Sequence, residues 1–366
     1  MPAFIFSADA HIREPHDLFR SKLPAGMRDQ ALHVELTDKH LLTKTGDRVV
    51  YRLERDGEGD IGREKRRGAS NLTVRREDLD RDGIDAEVCY PTLAMMTYYL
   101  DDPQNEAATA EIYNEWINTF FAPHRDRFVP CGVLPVRDRE ATLTEMRRLH
   151  AFGLKSAMLP VVTPRGVPQY NSAHWDRVLE TAGKLGMALI FHTGTGLEQI
   201  IQERGPGAAV VNYSRQMNDG INTVMMLVAG GGLDRYPDTQ IAVIESGASW
   251  LSALAERMDE VYNAHHYYVR PKLSMLPSEI IRRQVKCAFQ HDRACIMSRG
   301  VTGTRSLMWA SDYPHAEGTF PNSRDIVRTL FDGIEISEKE KADILGGTAA
   351  RLFGFEIPQQ RATAPS

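Results

Sequence analysis

Acidic and imidazole side chains stand directly behind short apolar runs at several points of this 366-residue chain. "FIFSADAH" ends in Asp9 and His11, "MALIFHTG" carries His192, "IAVIESG" carries Glu245, "VKCAFQHD" carries His291, and "LMWASDYPH" carries Asp312 and His315. Asp9 and His11 are two apart, so on an extended strand both side chains point to the same side. The set Asp9, His11, His192 and Asp312 offers two imidazoles and two carboxylates. It suits one divalent cation of the zinc or manganese type, with positions left open for water or substrate. One such residue at a strand end is more often a satisfied loop residue. Four of them, each just behind an apolar run, argue together for a site. Arg13, two positions past His11, has the planar fork that pairs bidentately with a carboxylate.

Those residues need strands to position them. Eight short runs rich in β-branched or aromatic residues recur at 4–11, 84–92, 128–136, 154–161, 187–194, 241–247, 285–292 and 307–315. They are near-continuous rather than alternating, which fits parallel strands covered on both faces. Helical stripes lie between them. Tyr113, Trp116, Ile117, Phe120 and Phe121 form one. Trp175, Val178, Leu179 and Ala182 form another, with Asn171 or Ser172 as cap and Gly186 as stop. Leu251, Leu254, Met258 and Val261 form a third, and Ser337 with Glu340 reads as a capping box opening the last helix. Eight buried strands alternating with helices predict an α/β (β/α)8 TIM barrel, whose active site lies at the C-terminal face of the strands. A doubly wound sheet is disfavoured, because no glycine fingerprint follows the first strand. Residues 30–76 break the rhythm. Their alternation around "TGD" predicts a β-hairpin inserted after strand one, within a single barrel domain spanning 1–356. The polar residues 357–366 read as a frayed tail.

Composition narrows the class. A hydrophobic fraction of 42% and a charged fraction of 25% are those of a soluble globular protein. A net charge of −5 gives no footprint for nucleic acid, and "REKRR" at 63–67 reads as a solvated loop. No apolar run approaches the roughly 20 residues of a membrane helix, and the N-terminus turns polar too early for a signal peptide. The four cysteines lack metal-type pairing and read as reduced thiols, which predicts a cytoplasmic protein. Exposed aromatics in "NAHHYYVRP", beside a long helical stripe, predict a homodimer.

The motifs "DAHIREP", "IFHTGTG", "GGLDRYPDTQIAVIESGASWLSALAERMDEVY", "WASDYPHAEGTFPNS" and "ILGGTAARLFGF" carry a resemblance. Over nearly its whole length the chain resembles the amidohydrolase superfamily, in the branch related to aminocarboxymuconate semialdehyde decarboxylase. The resemblance implies a metal-dependent enzyme at the mouth of a distorted barrel, acting on small, often aromatic, acids. It implies that Asp312 is a metal ligand and often the base. His315 would orient a ligand or bind a substrate carboxylate. The chain departs from the wider superfamily at two positions. Asp9 stands where many members have a histidine, and Glu245 stands on strand six where many have another.

Nonoxidative decarboxylation is the leading expectation. The cation would chelate the substrate carboxylate and a neighbouring oxygen, and Asp312 or Glu245 would deliver a proton to the carbon that loses carbon dioxide. Arg13 and His291 would bind the substrate. Metal-dependent hydrolysis of an amide, ester or lactone needs the same ligands and the same open position, so it stays open. A non-catalytic binding barrel is the third reading. Zn2+ is the expected ion, with Mn2+ as the alternative.

Overall fold

A computed structural model describes residues 4–54, 67–196 and 203–358. The tail from residue 359 onward and most of "REKRR" lie outside the described residues.

All eight apolar runs form strands of one closed parallel barrel. The first run yields β1 (Phe6–Ser7) and β2 (His11–Ile12). Three further strands, β3 (Leu32–Leu36), β4 (His40–Thr45) and β5 (Arg48–Glu54), follow before β6 (Ala86–Pro91). Both β1 and β2 pair in parallel with β6. The third run splits into β7 (Phe128–Pro130), which pairs with β6, and β8 (Gly132–Val133), which pairs with β9 (Ser156–Pro160). From there β10 (Ala188–His192), β11 (Ile241–Ile244), β12 (Val285–Phe289) and β13 (Leu307–Trp309) add in sequence order. The last run closes on the first. Ala8 donates its N–H to the Trp309 carbonyl at 3.0 Å, Asp312 to that of Asp9 at 3.0 Å, and His11 to that of Tyr313 at 2.7 Å.

The strands are apolar throughout because both faces are covered. Every residue of β9, β10, β11 and β12 is buried. Outside them lie the amphipathic helices. In Pro103–Phe121, capped by the Asp102 carboxylate, the residues Tyr113, Ile117 and Phe121 are buried, and Trp116 and Phe120 are half-buried against them. Val178, Leu179 and Ala182 of Asp176–Leu185 face inward, and Gly186 ends that helix in the left-handed region at φ 57°. Ser172 does cap, but it caps the short turn Ala173–Trp175 that precedes the helix. Leu251 and Leu254 of Trp250–Ala264 are buried, Met258 is half-buried, and Val261 is exposed. Ser337 and Glu340 form the expected capping box, opening Glu338–Ala342.

The insertion differs from the expected hairpin. It is a three-stranded antiparallel sheet, β3-β4-β5, with turns at "TDK" (37–39) and at Gly46–Asp47. The alternation around "TGD" marks only the second turn. The insertion also ends earlier than residue 76, because Leu72–Asp82 is already the helix that feeds β6. Asn71 caps that helix through two backbone amides, and Gly83 ends it at φ 77°.

One buried ion pair ties this helix to the closing seam. Arg75 and Glu87 are fully buried, and Arg75 Nε donates to Glu87 Oε1. Arg75 Nη1 also donates to the His11 carbonyl at 2.7 Å, and its guanidinium lies 4.8 Å from the Tyr313 ring centroid. Tyr313 in turn donates to Asp78 at 2.6 Å. Removing one partner leaves the other as an uncompensated buried charge, which costs more than the pair contributes. Arg75→Met is therefore expected to lower unfolding free energy by about 3–5 kcal/mol in urea titrations. The double variant Arg75→Met/Glu87→Leu should recover most of that loss. An equal loss in both variants would contradict this account of the seam.

Candidate metal centre

The barrel gathers Asp9, His11, His192, Glu245, Asp312 and His315 at one end. Asp9 lies between β1 and β2, His11 opens β2, and His192 closes β10. Glu245 follows β11, and Asp312 follows β13 by three residues. All stand at or just past the C-terminal ends of the apolar runs that form the barrel. Asp9, His11, His192 and Asp312 are each exposed by 1% or less.

Backbone carbonyls fix the two imidazoles. His11 Nδ1 lies 2.8 Å from the Pro91 carbonyl and His192 Nδ1 lies 2.9 Å from that of Thr193. A carbonyl only accepts, so each Nδ1 carries the hydrogen and each neutral ring presents a lone pair at Nε2. Those two Nε2 atoms are 3.1 Å apart. Asp9 Oδ1 lies 3.5 Å from both of them, and Asp312 Oδ1 lies 3.7 Å from His11 Nε2. Neither Asp9 Oδ1 nor Asp312 Oδ1 accepts a hydrogen bond, although His315 Nδ1 lies 3.0 Å from the latter. Four buried acceptors thus lie close together, with the His315 ring beside Asp312. A divalent cation fits this donor set.

The four do not form one undivided group. Asp9, His11 and His192 make one triad of ligand atoms, and His11, Asp312 and His315 make a second that shares His11. His315 stacks on His11 with ring centroids 4.3 Å apart. Glu245 Oε2 is 3.6 Å from His192 Nδ1 and joins Asp312, His315 and Glu317 in a third group.

Without a cation, protons are drawn into the cluster. Burial, then the charge of Asp312, raises the Asp9 carboxyl to about 6. Burial and then Asp312 likewise push Glu245 up to about 8. Burial opposes protonation of His192, but the neighbouring Asp9 carboxylate, with the charge of Glu245, outweighs it and holds the ring at about 9. Burial opposes it at His315 too, where Asp312 prevails and the value reaches about 10. His11 moves down, driven by burial and by the neighbouring imidazoles.

A cavity of about 790 Å³ reaches the cluster at His11, Glu245 and His315, and Arg13 also lines it. The inserted sheet, the loop after β6 and the segment 203–216 contribute other walls. His291 lies elsewhere. It is exposed and lines a second, smaller cavity that reaches Asp9 and Glu245 from another side. Its neighbour Asp292 caps Arg293–Met297 and accepts the amides of Ala248 and Ser249, so the segment is committed to holding the β11 loop. Of the aromatic and methionine residues in the loops, Met95 and Met96 line the larger cavity, while Tyr98 and Tyr99 are buried and Tyr267 and Tyr268 are exposed. Sequence reasoning missed Glu14. Its buried carboxylate accepts the amides of Thr92, Leu93 and Ala94, and so anchors the loop that carries Met95 and Met96.

A (β/α)8 barrel with such a donor set at its C-terminal face defines a metal-dependent enzyme. The chain belongs to the amidohydrolase family, whose sequence model matches residues 9–355. It is similar to 2-amino-3-carboxymuconate-6-semialdehyde decarboxylase of Dictyostelium discoideum, 24% identical over 296 residues that cover 77% of this chain and 76% of that protein. Its fold matches an amidohydrolase from Mycobacterium avium subsp. paratuberculosis K-10 with a TM-score of 0.79 at 18% identity, covering 97% of this chain and 100% of that one. The 5-carboxyvanillate decarboxylase of Sphingomonas paucimobilis gives 0.71 at 20% identity, covering 96% and 99%. A dihydroxybenzoic acid decarboxylase of Polaromonas sp. JS666, solved with bound manganese and 2-nitroresorcinol, gives 0.66 at 15% identity, covering 98% and 99%.

Because protons and a cation compete for the same atoms, metal affinity should depend on pH. His192 at about 9 holds a proton that loading must displace, so affinity should weaken as pH falls from 9 to 6, with Asp9 at about 6 adding a second proton as pH approaches 6. The expected slope is on the order of tenfold per pH unit for each displaced proton. Calorimetry at pH 7.5 in buffers of different ionisation enthalpy should register at least one released proton. Affinity that stays level from pH 6 to 9 would contradict this picture.

Proposed function

We propose that the protein is a metal-dependent decarboxylase of a small hydroxy-aromatic or unsaturated carboxylic acid. One observation carries this reading: Asp9, His11 and His192 turn three buried acceptor atoms toward one another, Asp312 faces the same His11 nitrogen, and His11 opens onto a cavity that a ligand can enter. The similarity to the amoebal decarboxylase supports carbon dioxide loss over hydrolysis. A Zn2+ or Mn2+ ion held by Asp9, His11, His192 and Asp312 would supply Lewis-acid stabilisation of the substrate's carboxylate head.

The chain supplies the remainder. Arg13 lines the cavity two residues past His11 and pairs with an anionic oxygen of the substrate. As the carbon–carboxylate bond breaks, its electron pair stays on the ring or alkene carbon, and a proton must replace the departing carbon dioxide. Glu245 lines the same cavity and is the group that delivers it, as general acid. Asp312 accepts from His315 and so orients that ring, while its other oxygen faces His11 Nε2 and adds to the donor set. The exposed rings of Tyr267 and Tyr268, 78% and 84% accessible, suit burial against a second copy in a homodimer. Four buried unpaired cysteines fit a reducing, cytoplasmic setting.

Incubating the metal-loaded protein with hydroxybenzoates and with lactones, while following carbon dioxide and acid release, separates decarboxylation from hydrolysis. Carbon dioxide release that stops on chelation is the expected result, and acid release from lactones alone would replace the reading with hydrolysis. Asp312→Asn should keep the fold and lower kcat by at least about a hundredfold, and near-full turnover would refute its role. Light scattering should return twice the 41.1 kDa monomer mass. A value at the monomer mass across micromolar concentrations would refute the dimer.

A further inference from the structure

The cavity is larger than the chemistry at its foot requires. At about 790 Å³ it falls in the range that encloses a drug-sized ligand, far beyond what one hydroxybenzoate ring fills. Its walls also differ in kind. The foot is polar, with His11, Glu245 and His315.

Opposed to that foot in character is one face of the inserted sheet. Thr43 is the pairing partner of both Val34 and Tyr51, and Leu41 is the partner of Leu53. Directly paired residues share a sheet face, and so do residues two apart on one strand. All five of these side chains line the cavity. The sheet therefore turns a largely apolar face to the cavity, where it meets Met95 and Met96 from the loop after β6. Methionine is unbranched and polarizable, and it adapts to apolar bodies of varied outline.

We propose that the substrate is an amphipathic acid whose metal-binding carboxylate head is joined to an apolar body larger than a single ring, seated between the inserted sheet and Met95–Met96. This rests on the reading of the foot as a carboxylate-binding metal centre. The inserted sheet is then the element that sets substrate size, and the barrel supplies the chemistry.

Three probes test it on the metal-loaded protein: salicylate, 1-hydroxy-2-naphthoate and 4-phenylsalicylate, which share one chelating head and differ in apolar bulk. Calorimetric Kd should fall by about tenfold or more from salicylate to each extended acid, as expected for burial of a further ring. Leu41→Asp and Leu53→Asp, each at a half-exposed position on the sheet, should abolish that gain, leaving the three acids within about twofold of one another. Equal Kd values in the unaltered protein, no binding of any probe, or a gain that survives both substitutions would overturn the proposal. Carbon dioxide release is measured in parallel. A Kd gradient with no carbon dioxide from any probe would sink the decarboxylase reading and leave the size inference standing. Turnover of salicylate with no advantage to the extended acids would do the reverse.

Discussion

Two imidazole lone pairs held 3.1 Å apart, with two buried carboxylate oxygens beside them, need positive charge among them. A proton on His192 answers that need in the metal-free protein, and a divalent cation answers it in the loaded one. The rest of the site follows from this requirement. The carbonyls of Pro91 and Thr193 fix the ring orientations, so that the lone pairs meet. The seam between the first and last barrel strands brings Asp9, His11 and Asp312 together, and Arg75 holds the His11 carbonyl from beneath. The barrel is closed where its charge is most crowded, and closure and metal binding therefore support each other.

The backbone bears part of the cost. Glu245 at φ 59° and Asp312 at φ 55° are the two non-glycine residues with positive φ among the described residues. Such conformations cost of order 1–3 kcal/mol each and persist where surrounding contacts over-determine them. For Asp312 those contacts are its own amide on the Asp9 carbonyl and its carbonyl accepting from His315. Each residue directly follows a barrel strand or its short extension, and the left-handed turn aims a carboxylate into the cluster at the point where strand geometry would otherwise carry the chain past it. The strain falls on the two acids that the mechanism assigns to proton delivery and to the donor set.

The barrel was legible because its strands are covered on both faces, which writes them into the sequence as continuous apolar runs. The residues that gather at the barrel mouth were legible for a related reason: each stands directly behind such a run, where the barrel must present it. Other features left no such mark. Arg75 sits in "LTVRREDLDRD", a helix whose charge pattern is that of a solvated face, and only the packing shows that this one arginine is buried against Glu87. Glu14, beside Arg13 and Pro15, has the look of an exposed loop acid until the three amides it accepts are seen. The third strand of the insertion, "RVVYRLE", is edged by charges that obscure its alternation. His291 shares the strand-end position of the cluster members, but it is exposed and its neighbour Asp292 binds the β11 loop.

The central claim is that a single cation resolves the repulsion among Asp9, His11, His192 and Asp312. Anomalous diffraction from crystals of protein loaded with one equivalent of manganese or zinc, recorded on both sides of the metal's absorption edge, tests it most directly. The account predicts one strong anomalous peak at the C-terminal mouth of the barrel, within bonding distance of the His11 and His192 Nε2 atoms and of Asp9. A peak bound elsewhere, or none while those two nitrogens remain in contact, would contradict it.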